Sequence, residues 1–204
     1  IPCLGIAVFF VFNIIAISQY PGYDKCYFLE SENCASPNYS FKYSFFSELG
    51  SINTNTDDDS HDKGLNNKPN TKSMIFFNGA LIVIGLVLIL FYSYFNMFFL
   101  WMSDSVNAIN YSFACRYLGI ITGVMFGGVG IVPHDLHFGL HVFFANGAFV
   151  SLLMLSIFHA LAFKSSKYVK NIYLLGHAIF CLFLCAYVYI ILLGPTISPY
   201  ESFT

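Results

Sequence analysis

The sequence predicts an all-α fold: a polytopic transmembrane helical bundle with five visible spans and a long polar outward loop between spans one and two. Three observations carry this. Of 204 residues, 57% are apolar and only 10% charged, against about 25% charged in soluble domains. Five stretches approach or exceed the roughly 20 apolar residues that a helix needs to cross a hydrocarbon core about 30 Å thick. The 24 Phe and 14 Tyr suit both the lipid core and its interface. A formal net charge of −2 without a basic stripe excludes a phosphate-tracking nucleic-acid surface. The partners to expect are the lipid bilayer and other membrane protein subunits.

The first span covers residues 1–18. It starts at Ile1 with no basic leader and no small-x-small cleavage site in view, so it reads as a retained span missing its leading residues rather than a signal peptide. Residues 19–72 form the polar loop, which holds eight of the eleven carboxylates. Its centre, 51–70, is poor in apolar residues and is expected to be mobile. The remaining spans are expected at 74–102, 114–132, 136–163 and 171–193. No internal repeat or second domain is visible, so residues 1–204 read as one membrane domain. The tail after Leu193 is too short and polar to cross again; a sixth span beyond Thr204 is an expectation for the native product.

Orientation follows from basic residues in short loops. Lys164, Lys167 and Lys170 occupy the loop between spans four and five, and Arg116 lies at the same end of span three. That end is expected to be cytoplasmic, which places the first loop and the C-terminal tail outside. Cys26 and Cys34 in that loop could then close a disulfide or remain unpaired. Asn38-Tyr39-Ser40 is a glycosylation sequon in the same loop, whereas the second sequon, at Asn110, falls on the inner side.

Gly119, Gly123 and Gly127 repeat at four-residue spacing in span three, with Gly128 and Gly130 following. Glycines so spaced share a helix face and let another backbone approach closely. The neighbour is expected to be another span of the same bundle, the alternative being a dimer partner.

Two sets of ionisable groups need explaining, because such groups are costly in a membrane. At the start of span four, His137 and His141 lie one turn apart, a spacing that suits two metal ligands, with Asp135 as a third ligand or as an orienting partner. Glu48 is on the same side and could complete a zinc site able to activate water. Alternatively the histidines satisfy backbone groups, and Asp135 serves as the N-cap of span four. Near the other face, His159 and His177 sit at similar depth on adjacent spans; hydrogen bonding between spans is expected ahead of haem ligation. His177, Cys181 and Cys185 recur every four residues over about 12 Å, too far for one metal, so the cysteines read as apolar filler. Asp57, Asp58 and Asp59 lack the spacing of a calcium loop.

An ordered set of short motifs runs through these regions: Tyr20-Pro21-Gly22-Tyr23-Asp24, Phe46-Ser47-Glu48-Leu49-Gly50, Phe76-Phe77-Asn78-Gly79, Pro133-His134-Asp135 and His137-Phe138-Gly139-Leu140-His141. The set resembles a family of six-span membrane proteins catalogued as domain of unknown function nine-nine-eight, related to FRAG/DRAM-type membrane proteins. The resemblance implies a six-helix bundle with Asp24, Ser47, Glu48, Asn78, Asp135, His137 and His141 on one membrane face. It implies no activity. The missing sixth span and the long insert at 51–72 depart from the family pattern.

No nucleophile or general base stands out. The leading expectation is therefore a non-catalytic lipid-binding or accessory subunit, whose polar cluster organises Ser47–Gly50 against spans two and four. The alternative is a metal-dependent or acid–base enzyme acting on a lipid at the outer leaflet. A transporter ranks last, since neither an inverted repeat nor a broken helix is visible.

Overall fold

The computed structural model describes residues 2–24, 35–42, 44–54, 68–170 and 172–193. Among them are five long helices: α1 (Pro2–Gln19), α2 (Thr71–Trp101), α3 (Val106–Ile131), α4 (Phe138–Ser165) and α5 (Ile172–Leu193). Each is long and apolar enough to cross a membrane, and the chain is an integral multi-pass membrane protein with an all-α fold. At 1.5 Å per residue the 31 residues of α2 span about 46 Å, so this helix must tilt or project beyond the hydrocarbon core.

The distribution of side chains is that of a lipid-solvated protein. Leu182, Phe183 and Leu193 of α5 are all at least 70% exposed, while Asn96, Ser112 and Thr122 are almost fully buried. Several helix hydroxyls and amides bond back onto their own helix. Thr122 Oγ1 donates to Leu118 O (2.8 Å), Ser112 Oγ to Ile109 O (2.7 Å) and Asn13 Nδ2 to Phe9 O (2.7 Å). Such local bonds satisfy a polar group without a partner helix.

Three helix starts differ from the sequence reading, and α2 begins at Thr71, three residues ahead of the expected 74. Helix α3 begins at Val106, eight residues ahead of the expected 114, because Ser105 caps it: its Oγ accepts the Ala108 N–H at 3.1 Å. The cap lets a polar first turn join the apolar run. Helix α4 begins at Phe138, and its cap is His137 rather than Asp135: His137 Nδ1 accepts the Leu140 N–H at 3.2 Å.

The first loop contains short ordered pieces. Strands β1 (Tyr23–Asp24) and β2 (Ala35–Ser36) pair antiparallel, Tyr23 opposite Ser36. Gly22 turns the chain into β1 with φ of 83°, where a side chain would also run into the Pro37 backbone. A 3-10 turn follows at Phe46–Gly50, and an isolated bridge joins Asn53 to Pro69. Cys26 and Cys34, along with Asp57, Asp58 and Asp59, lie outside the described residues, so the disulfide expectation does too.

The chain divides into two compact units, and α2, α3 and α4 contribute to both. The first unit comprises Ile1–Cys3, Ile84–Gly127 and Phe144–Pro195. Tyr92, Cys115 and Leu155 form one buried cluster there, and Phe99, Ala108 and Ala162 form another. Gly119 lies against the Tyr92 ring, and a Cβ at Gly123 would stand 2.5 Å from Gly85 O. A Cβ at Gly127 would meet nothing within 4 Å. The close approach of α2 and α3 in this unit therefore rests on Gly85, Gly119 and Gly123, and is intramolecular.

The described residues of the second unit fall within Leu4–Val83 and Gly128–Phe143. Here Phe12 of α1 packs edge-on against Phe76 of α2, centroids 5.6 Å apart, and stands over Gly79. Gly130 brings α3 against the backbone of α2 at Asn78.

Candidate functional site

The polar cluster at the α3–α4 turn lies in the second unit, and its groups are directed at the loop backbone. The Ser47–Gly50 segment turns its carbonyls toward α2. Asn70, which precedes α2, donates from Nδ2 to Glu48 O (3.2 Å), Leu49 O (3.2 Å) and Ser51 O (3.0 Å). One turn on, Ser73 Oγ donates to Leu49 O at 2.9 Å, and Asn78 Nδ2 donates to Gly50 O at 3.0 Å. The opposite edge of the segment is held by Asp135, whose carboxylate accepts the Ile52 N–H at 2.8 Å and the Asn53 N–H at 3.1 Å. The segment is thus fixed from α2 and from the turn before α4.

Glu48 is buried at 9% exposure. Its Oε1 accepts the Phe45 N–H (2.9 Å), making half a capping box, and Oε2 accepts the Tyr20 hydroxyl at 3.2 Å. Tyr39 stands edge-on to Tyr20 with centroids 5.5 Å apart. Burial, and secondarily the Glu48 charge, push the Tyr39 phenol well above its ordinary pKa. Asn38 is exposed at the turn after β2, with its N–H bonded to Ser36 Oγ at 3.2 Å.

The proposed metal ligands do not converge. His141 Nδ1 lies 2.7 Å from Val132 O; a carbonyl only accepts, so this nitrogen carries the proton. His137 spends its Nδ1 lone pair on the Leu140 cap, and Asp135 serves the loop. The ring next to His141 is that of His134, with centroids 5.9 Å apart. Among the described residues no three His, Cys, Asp or Glu side chains are placed to hold a metal. The fourfold spacing of His137 and His141 serves one helix cap and one bond back to the preceding turn.

In the first unit, the His159 and His177 rings lie 4.5 Å apart and tilted by 38°. Rings in contact leave no room for a porphyrin between them. His159 Nδ1 bonds the Tyr92 hydroxyl at 3.0 Å, linking α2 to α4. Cys181 lies 3.1 Å from Ser156 Oγ.

A second polar latch in this unit escapes the sequence reading. Asp104, between α2 and α3, accepts from Ser105 N–H (2.7 Å), Lys167 N–H (2.9 Å) and the Ser166 hydroxyl. Ser105 Oγ donates in turn to Ser165 O at 2.6 Å. Burial alone would raise the Asp104 pKa, but the hydrogen bonds from Ser166, Lys167 and Ser105, with the Lys167 charge, hold it below its ordinary value. In the sequence Asp104 is one carboxylate in a four-residue connection between two spans, a place where water alone would solvate it, so nothing there announces the latch.

Beside this latch lies a cavity of about 890 Å³. Phe91, Phe95, Phe98 and Phe99 of α2 with Phe163 of α4 form its walls, and Tyr94, Tyr168, Tyr173 and Lys170 also line it, beside Pro2, Leu90 and Val169. The volume falls in the range of small-molecule sites. Residues 91, 94, 95, 98 and 99 follow the 3.6 period, so the stripe could have been read from the sequence. Against a background of 24 Phe and 14 Tyr it was not distinguishable from ordinary lipid-facing surface.

No family profile matches this chain, and neither a curated protein nor a solved structure does.

Proposed function

We propose that this chain is a non-catalytic accessory module of a membrane assembly that takes a lipid molecule into the aromatic cavity of its first unit. The observation that carries the proposal is that cavity: an apolar space of about 890 Å³ with five phenylalanine walls and polar groups confined to tyrosines and one lysine. Aromatic walls favour acyl chains and offer no group to perform chemistry on them. The acid and base candidates of the second unit support the same conclusion, since Asp135, His137 and His141 are each bonded to backbone.

The test is native mass spectrometry of the protein released from lipid nanodiscs. At least one lipid should stay bound under conditions that strip the annulus. Val169→Trp, which fills the cavity from its lining, should abolish that adduct without lowering thermal stability. Equal adducts on wild type and variant would remove the cavity from consideration.

We also propose a sidedness for the chain. With Lys164, Lys167 and Lys170 at one end of the spans, that end belongs on the cytoplasmic side, and the first loop belongs outside. Exposure of Asn38 suits it to carry glycan there. Expression in a eukaryotic host should give a glycosidase-sensitive band that Asn38→Gln removes; a glycan lost only in Asn110→Gln would reverse the orientation.

A further inference from the structure

The cavity in the first unit has a charge asymmetry that names its occupant more closely. Of its twelve lining residues Lys170 alone is charged, and it lies in the connection just before α5 rather than within a span. A lysine there sits at the level of lipid headgroups, while Phe95, Phe99 and Phe163 lie along the helices and suit acyl chains. Lys164 and Lys167 lie in the same stretch of chain but outside the lining. The described carboxylate of this unit, Asp104, already accepts from Ser105, Ser166 and Lys167. It is thus committed to its latch, and no ion pair joins Lys170 to it. Tyr94 and Tyr173, 67% and 60% exposed, leave the cavity open at the helix surface, where a molecule would enter from the bilayer rather than from water.

We propose that the cavity selects an anionic phospholipid of the surrounding leaflet, with its headgroup at Lys170 and an acyl chain along the α2 phenylalanines. This rests on the lipid-binding proposal above and adds the headgroup charge to it. A zwitterionic lipid offers the same chains but brings a cation beside its phosphate, so it gains less from the lysine.

The experiment uses the full chain in nanodiscs holding equal parts phosphatidylglycerol and phosphatidylcholine with identical acyl chains. The tightly retained lipid is extracted and quantified, with thermal stability of each variant measured alongside. Wild type should retain phosphatidylglycerol over phosphatidylcholine by roughly five-fold, the preference that one interfacial lysine supplies. Lys170→Gln should bring the ratio near one with total retained lipid and stability unchanged. Lys164→Gln, outside the lining, should keep the preference. Equal retention of both lipids by wild type would overturn the headgroup assignment and leave lipid binding standing. A preference lost equally in Lys164→Gln would overturn it too, as bulk attraction to the basic connection. No retained lipid of either kind would overturn both proposals.

Discussion

Asn70→Ala should destabilise the protein by roughly 1–3 kcal/mol, because the buried Ser51 carbonyl loses its donor and two neighbouring carbonyls lose one of theirs. The Asn70 amide is 1% exposed and faces Glu48 O, Leu49 O and Ser51 O, all within 3.2 Å. Ser51 O is the acceptor left stranded, at a cost on the order of 1–3 kcal/mol, because Leu49 O keeps the Ser73 hydroxyl and Glu48 O keeps the Ser51 N–H and hydroxyl. The loop has other supports, from Ser73, Asn78 and Asp135, so loosening of residues 46–53 should precede loss of the helices. Amide hydrogen exchange in detergent should show Ile52 and Asn53 losing protection while α2–α4 retain theirs. Asn70→Asp separates hydrogen bonding from volume. It keeps the shape but sets acceptors against acceptors and buries a charge, so it should be worse than alanine. If aspartate were tolerated better than alanine, the amide would be a packing group and not the donor that fixes this segment.

That prediction could not have come from the sequence, and the reason is physical. The spans are legible because each is a run of apolar residues whose length the bilayer dictates, and all five emerge close to where hydropathy places them. Where they diverge, one side chain decides. Ser105 capped a helix start that hydropathy puts eight residues later, since a polar first turn costs nothing at the membrane surface. Caps such as His137 depend on a ring nitrogen meeting one particular N–H, and nothing in a histidine spacing of four distinguishes that from metal ligation.

The polar cluster shows the same division. Glu48, Asn78 and Asp135 stand out in the sequence because polar groups beside apolar runs are costly, and the structure brings all three to one loop segment. Their partners, however, are backbone N–H and C=O groups, which every residue carries and which no residue type announces. Asn70 and Ser73 are as central to that segment as Asn78, yet at the polar start of α2 they resemble any helix entrance. Asp104 was passed over for the converse reason. The latch that justifies it comes from Ser166 and Lys167, some sixty residues away, and only the folded chain puts them together.

Gly123→Leu should be strongly damaging to the first unit, costing about 3 kcal/mol or more and lowering the yield of folded protein. A Cβ at Gly123 would lie 2.5 Å from Gly85 O and 3.1 Å from the Ile89 backbone N. Both are helix backbone, so no rotamer change relieves the clash, and α2 and α3 must separate. In lipid that separation forfeits close van der Waals packing, with no hydrophobic gain between helices to compensate. Because Tyr92, Cys115 and Leu155 share the adjacent buried cluster, parting α2 from α3 also opens that cluster. The companion variant is Gly127→Ala. It belongs to the same four-residue series, but its Cβ would meet nothing within 4 Å, so it should be neutral, or more stable by up to about 1 kcal/mol through helix propensity. Thermal stability of both variants in detergent, followed by size exclusion after heating, checks the pair. Sharply unequal effects are expected when the glycines serve packing of α3 against α2 within one chain. Equal and large effects, with loss of a dimer peak, would instead mean that the whole series meets a second copy of the protein.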